Sequence, residues 1–195
     1  MAVYVALGDS ISIDDYTGVA GGGAPSQLAR VLGADLVDLT RDGNTTHGLL
    51  ADLACSPRAA DVITVTAGGN DLLGGDLPRA ILHRLDQIAE RIQPLGADVI
   101  VNTVYDPSDG DNEVGRRELG LSRLAAMELR RRLNALNRGI KNLATEHGFL
   151  LAELEHLFHG HGVASNQSWF VQVIEPNLAG ATAIADHWYD LLTSR

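Results

Sequence analysis

The chain has 195 residues, of which 15 are basic and 25 acidic, with a formal net charge of −10 at pH 7. Hydrophobic residues make up 45% and charged residues 21%, which excludes a disordered or fibrous chain and fits one domain, residues 1–195, burying roughly 70% of its unfolded surface. The acidic field argues against nucleic acid, and no apolar run reaches the ~20 residues of a bilayer span, so a small-molecule partner without nucleic acid or membrane is expected.

The start of the chain lacks the basic residues and cleavage site of a signal peptide, which gives a cytoplasmic expectation. Val3 to Leu7 is a short apolar run ending at Gly8, a strand followed by a turn. Glycines 21 to 23 read as a plain loop before a helix near Pro25. Leu36 to Leu39 is a second strand, running into Arg41-Asp42-Gly43. Cys55 is the single cysteine, so no internal disulfide forms, and it reads as a small buried hydrophobe. Val62 to Ala67 is a third strand, before Gly68-Gly69-Asn70-Asp71.

Ile81, Leu85, Ile88, Ile92 and Leu95 then fall on one helical stripe. Val99 to Val104 is the fourth strand. Leu121, Ala125, Leu129, Leu133, Leu136, Ile140 and Leu143 mark a longer helix that stops at Gly148. Within it Arg130, Arg131 and Arg132 read as a solvated face. Phe149 to Leu154 is the fifth strand, and Leu178, Ala181, Ile184, Ala185, Trp188 and Leu192 mark the last helix. Strands alternating with helices predict a mostly parallel sheet covered on both faces. Ligands of such sheets bind beyond the carboxyl ends of the strands.

Three loops at that end carry chemistry. Gly8-Asp9-Ser10 puts a serine on a tight strand-to-helix turn, with its hydroxyl exposed and its own N–H facing the same space. Gly43 lets backbone approach a ligand closely. Asn70 can donate its side-chain amide to an oxyanion. Singly these are a helix cap, a turn glycine and an Asx turn. In this order the three blocks, with Glu175-Pro176-Asn177-Leu178-Ala179-Gly180 near the end, resemble the SGNH (GDSL-type) hydrolase family over essentially the whole chain.

That resemblance implies a flavodoxin-like three-layer α/β sandwich with a five-stranded parallel sheet. It implies serine-dependent hydrolysis of a small soluble carboxylic ester without a cofactor. Ser10 is the implied nucleophile, and the implied oxyanion hole is the N–H of Ser10, the N–H of Gly43 and the amide of Asn70. In one respect the chain departs from the pattern. Where the family has Asp-x-x-His-Pro, this sequence reads Gln172-Val173-Ile174-Glu175-Pro176.

Three arrangements answer that departure. His161, flanked by Gly160 and Gly162, takes the proton of Ser10 while Glu175 orients the ring, with His159 as the nearest substitute. Alternatively Glu175 is itself the base, which needs burial to raise its pKa. In the third, the fold is a catalytically inactive small-molecule binder.

Arg41, two residues before Gly43, is a candidate for substrate contact or for an ion pair with Asp9, Asp14 or Asp15. Asp14 and Asp15, about a helical turn beyond Ser10, are candidate pocket residues. Asp9 and Asp71 read as holding loop backbone. The group His156, His159 and His161 with Glu153 and Glu155 lacks metal-ligand spacing, and no metal is expected. Few aromatics and no greasy lid disfavour a long-chain lipid substrate.

Overall fold

The computed structural model describes residues 2–55 and 59–194. Of Cys55 only the backbone is included, so its side chain, read above as buried, lies outside the described residues. In chain order the elements are β1 (Val3–Gly8), α1 (Ala24–Leu32), β2 (Asp35–Thr40), α2 (Thr46–Asp52), β3 (Val62–Val65), α3 (Gly69–Leu73) and α4 (Pro78–Ile92). There follow β4 (Asp98–Asn102), α5 (Asn112–Glu118), α6 (Arg123–His147), β5 (Leu150–Ala152), α7 (Leu154–Leu157), β6 (Phe170–Val171), β7 (Glu175–Pro176) and α8 (Leu178–Thr193). Short 3₁₀ turns at Ser10–Ser12 and Asp15–Thr17 follow β1.

Strands β1 to β5 form one parallel sheet in the order β2-β1-β3-β4-β5. This is the expected five-stranded flavodoxin-like sandwich. The β6–β7 hairpin, antiparallel and two residues wide, and helix α5 have no counterpart in the sequence reading. Both are too short to generate a periodic apolar pattern.

The sheet is apolar on both faces because helices cover both. Ile81, Leu85, Ile88 and Ile92 of α4 pack with Leu133, Leu136 and Ile140 of α6 against Val5, Leu7, Ile63 and Val65. On the other face Leu28 and Ala29 of α1 join Ile184, Ala185 and Trp188 of α8 against Tyr4, Ala6 and Ile100. Two polar side chains inside this core are matched to each other and to the backbone. The Trp188 indole donates to Asn102 Oδ1 at 2.8 Å, and the Asn102 amide donates to the Val65 carbonyl at 2.9 Å.

Between β1 and β3 the strand order reverses, and the connections leave for opposite faces of the sheet. The crevice opened there lies at the carboxyl ends of the two strands. Ser10 follows one strand and Asn70 the other. No described helix is long and apolar enough to cross a membrane.

Candidate active site

The loop after β1 is held from within. The buried Asp9 caps the Ser10–Ser12 turn by accepting the N–H of Ile11, and Ser12 shares a 2.8 Å hydrogen bond with Thr66 at the end of β3. Ser10 is 5% exposed, and its hydroxyl has no hydrogen-bond partner among the described residues. Burial pushes the Asp9 carboxyl up to about 7, against the opposing effect of the Ile11 N–H, and nearby Asp71 adds to the rise.

The three expected loops are stitched together through Asn44, a residue that the sequence reading passed over. Its amide donates to the Gly8 carbonyl, which also accepts the N–H of Arg41. Its own carbonyl accepts the Asn70 amide at 2.9 Å. Gly43, at φ +67, adopts the left-handed conformation that glycine tolerates best, and its N–H has no partner among the described residues.

A second link lies beneath. The Asp71 carboxylate accepts the backbone N–H and the hydroxyl of Thr46, and Arg84 of α4 donates to both Asp71 and Thr46. Asp76 also pairs with Arg84. The reading of Asp9 and Asp71 as backbone anchors agrees with these contacts.

Ser10 and Asn70 line one cavity of about 90 Å³, partly open to solvent. Gly43 belongs to the same group of loops but not to the cavity wall. Most of that wall is aliphatic, with Ile11, Leu72, Leu73, Leu121, Leu129 and Leu133 among its residues. Asp106, Asn112 and Arg130 give it a polar rim. The sequence reading missed this chamber because its walls come from the loop after β1, from α3, from the loop after β4, from α5 and α6, and from Ile174 beside β7. None of these segments identifies the others by pattern.

The remaining candidates are placed as follows. Arg41 is paired with Asp52 at 2.8 Å, not with Asp9, Asp14 or Asp15. Asp14 accepts the N–H groups of Gly21 and Gly23, each at 2.7 Å, so it pins the glycine loop. Asp15 is exposed, and neither Asp14, Asp15 nor Arg41 lines the cavity. The reason is local: each of the two engaged side chains has a nearer partner on its own loop or the next helix.

The structure shows no hydrogen bond between His161 and Ser10. Its ring stacks on Trp169 with centroids 3.7 Å apart, and its Nδ1 is bonded to the Gln167 carbonyl at 2.9 Å. His159 pairs with Asp109 at 2.7 Å. Among the described residues no imidazole is hydrogen-bonded to Ser10 or Glu175. The three histidines of the 156–161 segment do not converge on a metal either. Glu153, Glu155 and His156 lie together, but Lys141 pairs with both glutamates.

Glu175 is not on the cavity wall, but its strand lies beside the Ser10 turn. Strand β7 packs against the Ser10–Ser12 turn, and Ile174 lines the cavity. The hairpin is fixed by Tyr105, which donates its hydroxyl to the Ile174 carbonyl at 2.6 Å and packs its ring against Phe158 and Phe170. Burial raises the Glu175 pKa, and Asp42 raises it further, while the N–H groups of Ile174 and Glu175 oppose the rise.

Comparison with known proteins agrees with the fold. The sequence gives no match among curated proteins. Over its full length the fold is similar to a lipolytic protein of the G-D-S-L family from Veillonella parvula, with TM-score 0.78, 17% identity and 100% of both chains covered. It is similar to the extracellular lipase of Streptomyces rimosus, with TM-score 0.75, 21% identity and 100% and 99% of the two chains covered. A mutant of the acetyl-xylooligosaccharide esterase of Geobacillus stearmophilus gives TM-score 0.76 at 16% identity, over 99% and 96% of the chains. At these identities the likeness is one of fold. The family description, however, matches residues 6–183, which include Ser10, Gly43, Asn70 and Glu175, and the chain therefore belongs to the GDSL-like lipase/acylhydrolase family.

Proposed function

We propose that this hydrolase cleaves carboxylic esters of aliphatic acids through an acyl-enzyme on Ser10. One observation carries the reading: Ser10 and Asn70 line a single chamber whose walls are mainly apolar, with six leucines and two isoleucines among them. Membership of a lipase and acylhydrolase family supports the reaction class.

In the reaction, Ser10 Oγ attacks the ester carbonyl and the carbonyl electron pair moves onto oxygen. That charge meets the N–H of Ser10, the N–H of Gly43 and the second amide hydrogen of Asn70, whose first is held by the Asn44 carbonyl. Collapse expels the alcohol. Water then attacks the acyl-enzyme through a second oxyanion at the same donors, releasing the acid and restoring Ser10.

The apolar walls favour a medium-chain acyl group, hexanoyl to decanoyl, on a water-soluble ester. This extends the small-ester expectation of the sequence. Arg41 is engaged by Asp52 and lies off the cavity wall, so it gives no support to an anionic acyl group.

Chromogenic p-nitrophenyl esters from acetyl to palmitoyl test the reading. The expected result is a maximum in kcat/KM between hexanoyl and decanoyl, with turnover reduced by about 10³-fold or more in Ser10→Ala. A second reading, a catalytically inactive binder, is favoured by the absence of an imidazole bonded to Ser10 among the described residues. It predicts octanoate binding without hydrolysis of any ester.

A further inference from the structure

Glu175 is a buried carboxylate without a cation. It is 8% exposed and forms no ion pair among the described residues; one of its oxygens accepts the neighbouring Ile174 N–H at 3.2 Å. The charged and titratable groups that face it are Asp42 on the loop of Gly43, Tyr16 on the turn after Ser10, and Tyr105, which itself faces Asp9. None of these is positive. Asp71 is matched by Thr46 and Arg84, and Asp14 by two backbone N–H groups, whereas the buried Asp9, like Glu175, has no cation among the described residues and anchors its own turn through the Ile11 N–H. Glu175 differs in its place: it sits on β7, the strand packed against the Ser10 turn, with Asp42 from the loop of Gly43 near it.

Resting on the reading of Ser10 as nucleophile, we propose that Glu175 is the general base and acid of this hydrolase, in place of histidine. As the Ser10 Oγ–carbon bond forms, the Glu175 carboxylate takes the Oγ proton, directly or through one water. The resulting carboxylic acid gives that proton to the alkoxide as the ester C–O bond breaks. The regenerated carboxylate then takes a proton from the attacking water, and returns it to Ser10 Oγ when the acyl-enzyme bond breaks. Burial and the neighbouring Asp42 make it a stronger base than an exposed glutamate. Only the ionised form works as the base, so the rate falls as pH drops through its raised pKa.

The test compares wild type, Glu175→Gln, Glu175→His, His161→Ala and His159→Ala on p-nitrophenyl octanoate across pH. Glu175→Gln is isosteric and is expected to lose about 10²- to 10⁴-fold in kcat. Its octanoate affinity by calorimetry stays within about twofold of wild type, which controls for folding. Glu175→His is expected to regain at least about tenfold over Glu175→Gln, with its acid limb set near ~6.5 by imidazole. The two histidine-to-alanine variants keep the wild-type rate and limb. Glu175→Gln turning over at the wild-type rate, or His161→Ala or His159→Ala showing the large loss, overturns the proposal while leaving Ser10 as nucleophile. Absence of ester turnover by the wild type overturns this proposal and the hydrolytic reading together.

Discussion

The Asn70 side-chain amide donates to the Asn44 carbonyl at 2.9 Å, joining the loop after β3 to the loop after β2. One amide hydrogen is thereby fixed, and Asn70 lines the same cavity as Ser10. An oxyanion donor held in advance needs no reorganisation when charge develops.

Asn70→Ala removes the proposed oxyanion donor without touching Ser10, the proposed nucleophile. The expected outcome is a fall in kcat of about 10²- to 10³-fold with KM little changed, measured on p-nitrophenyl octanoate. Asn70→Asp places a carboxylate where negative charge forms, and is expected to be at least as damaging.

Arg84 holds the underside of the same loops. Its side chain is 20% exposed, whereas that of Asp71 is 1% exposed. Arg84→Met leaves the Asp71 carboxylate with Thr46 alone, and the expected loss is about 2–4 kcal/mol, seen as a lowered urea midpoint with an unchanged m-value. Because Thr46 and Asp71 flank Asn44 and Asn70, kcat falls in the same variant.

The chamber can be shortened from its outer wall. Leu129 lies partly exposed on α6 and lines the cavity, so a larger side chain enters the void without rebuilding the core. In Leu129→Trp the best ester shifts from octanoyl towards acetyl or butyryl. Comparison of kcat/KM over the chain-length series measures this, each excluded methylene weakening binding by up to about fourfold.

Asp9 makes stability depend on pH. Its ordinary pKa of 3.8 rises to about 7 in the folded protein. Between those values the native state holds a proton that the unfolded chain has released, so stability falls as pH rises, by up to about 1.4 kcal/mol per unit. Above about pH 7 this contribution is level. Asp9→Asn keeps an oxygen to accept the Ile11 N–H and removes the titration. The difference in urea midpoint between wild type and Asp9→Asn is expected to grow in favour of the variant from pH 4 to 7, then hold constant.

Chain order and local chemistry by themselves determined the frame of this protein. Apolar runs at Val3, Leu36, Val62, Val99 and Phe149, separated by helical stripes, fix a parallel sheet, because only elements covered on both faces read that way. The same rule places Ser10, Gly43 and Asn70 at one end of it. Side-chain partnership over long separations is a different matter, since nothing in a local pattern records it. Asn44 meeting Gly8 and Asn70, or Asp71 meeting Arg84, is decided when the strands pair and the loops converge. The aliphatic chamber is likewise assembled from segments as distant as Ile11 and Leu133. Glycines at 160 and 162 said nothing of where the imidazole between them would go. Stacking on Trp169 and a bond to Gln167 settled it, because packing and hydrogen bonding act through space.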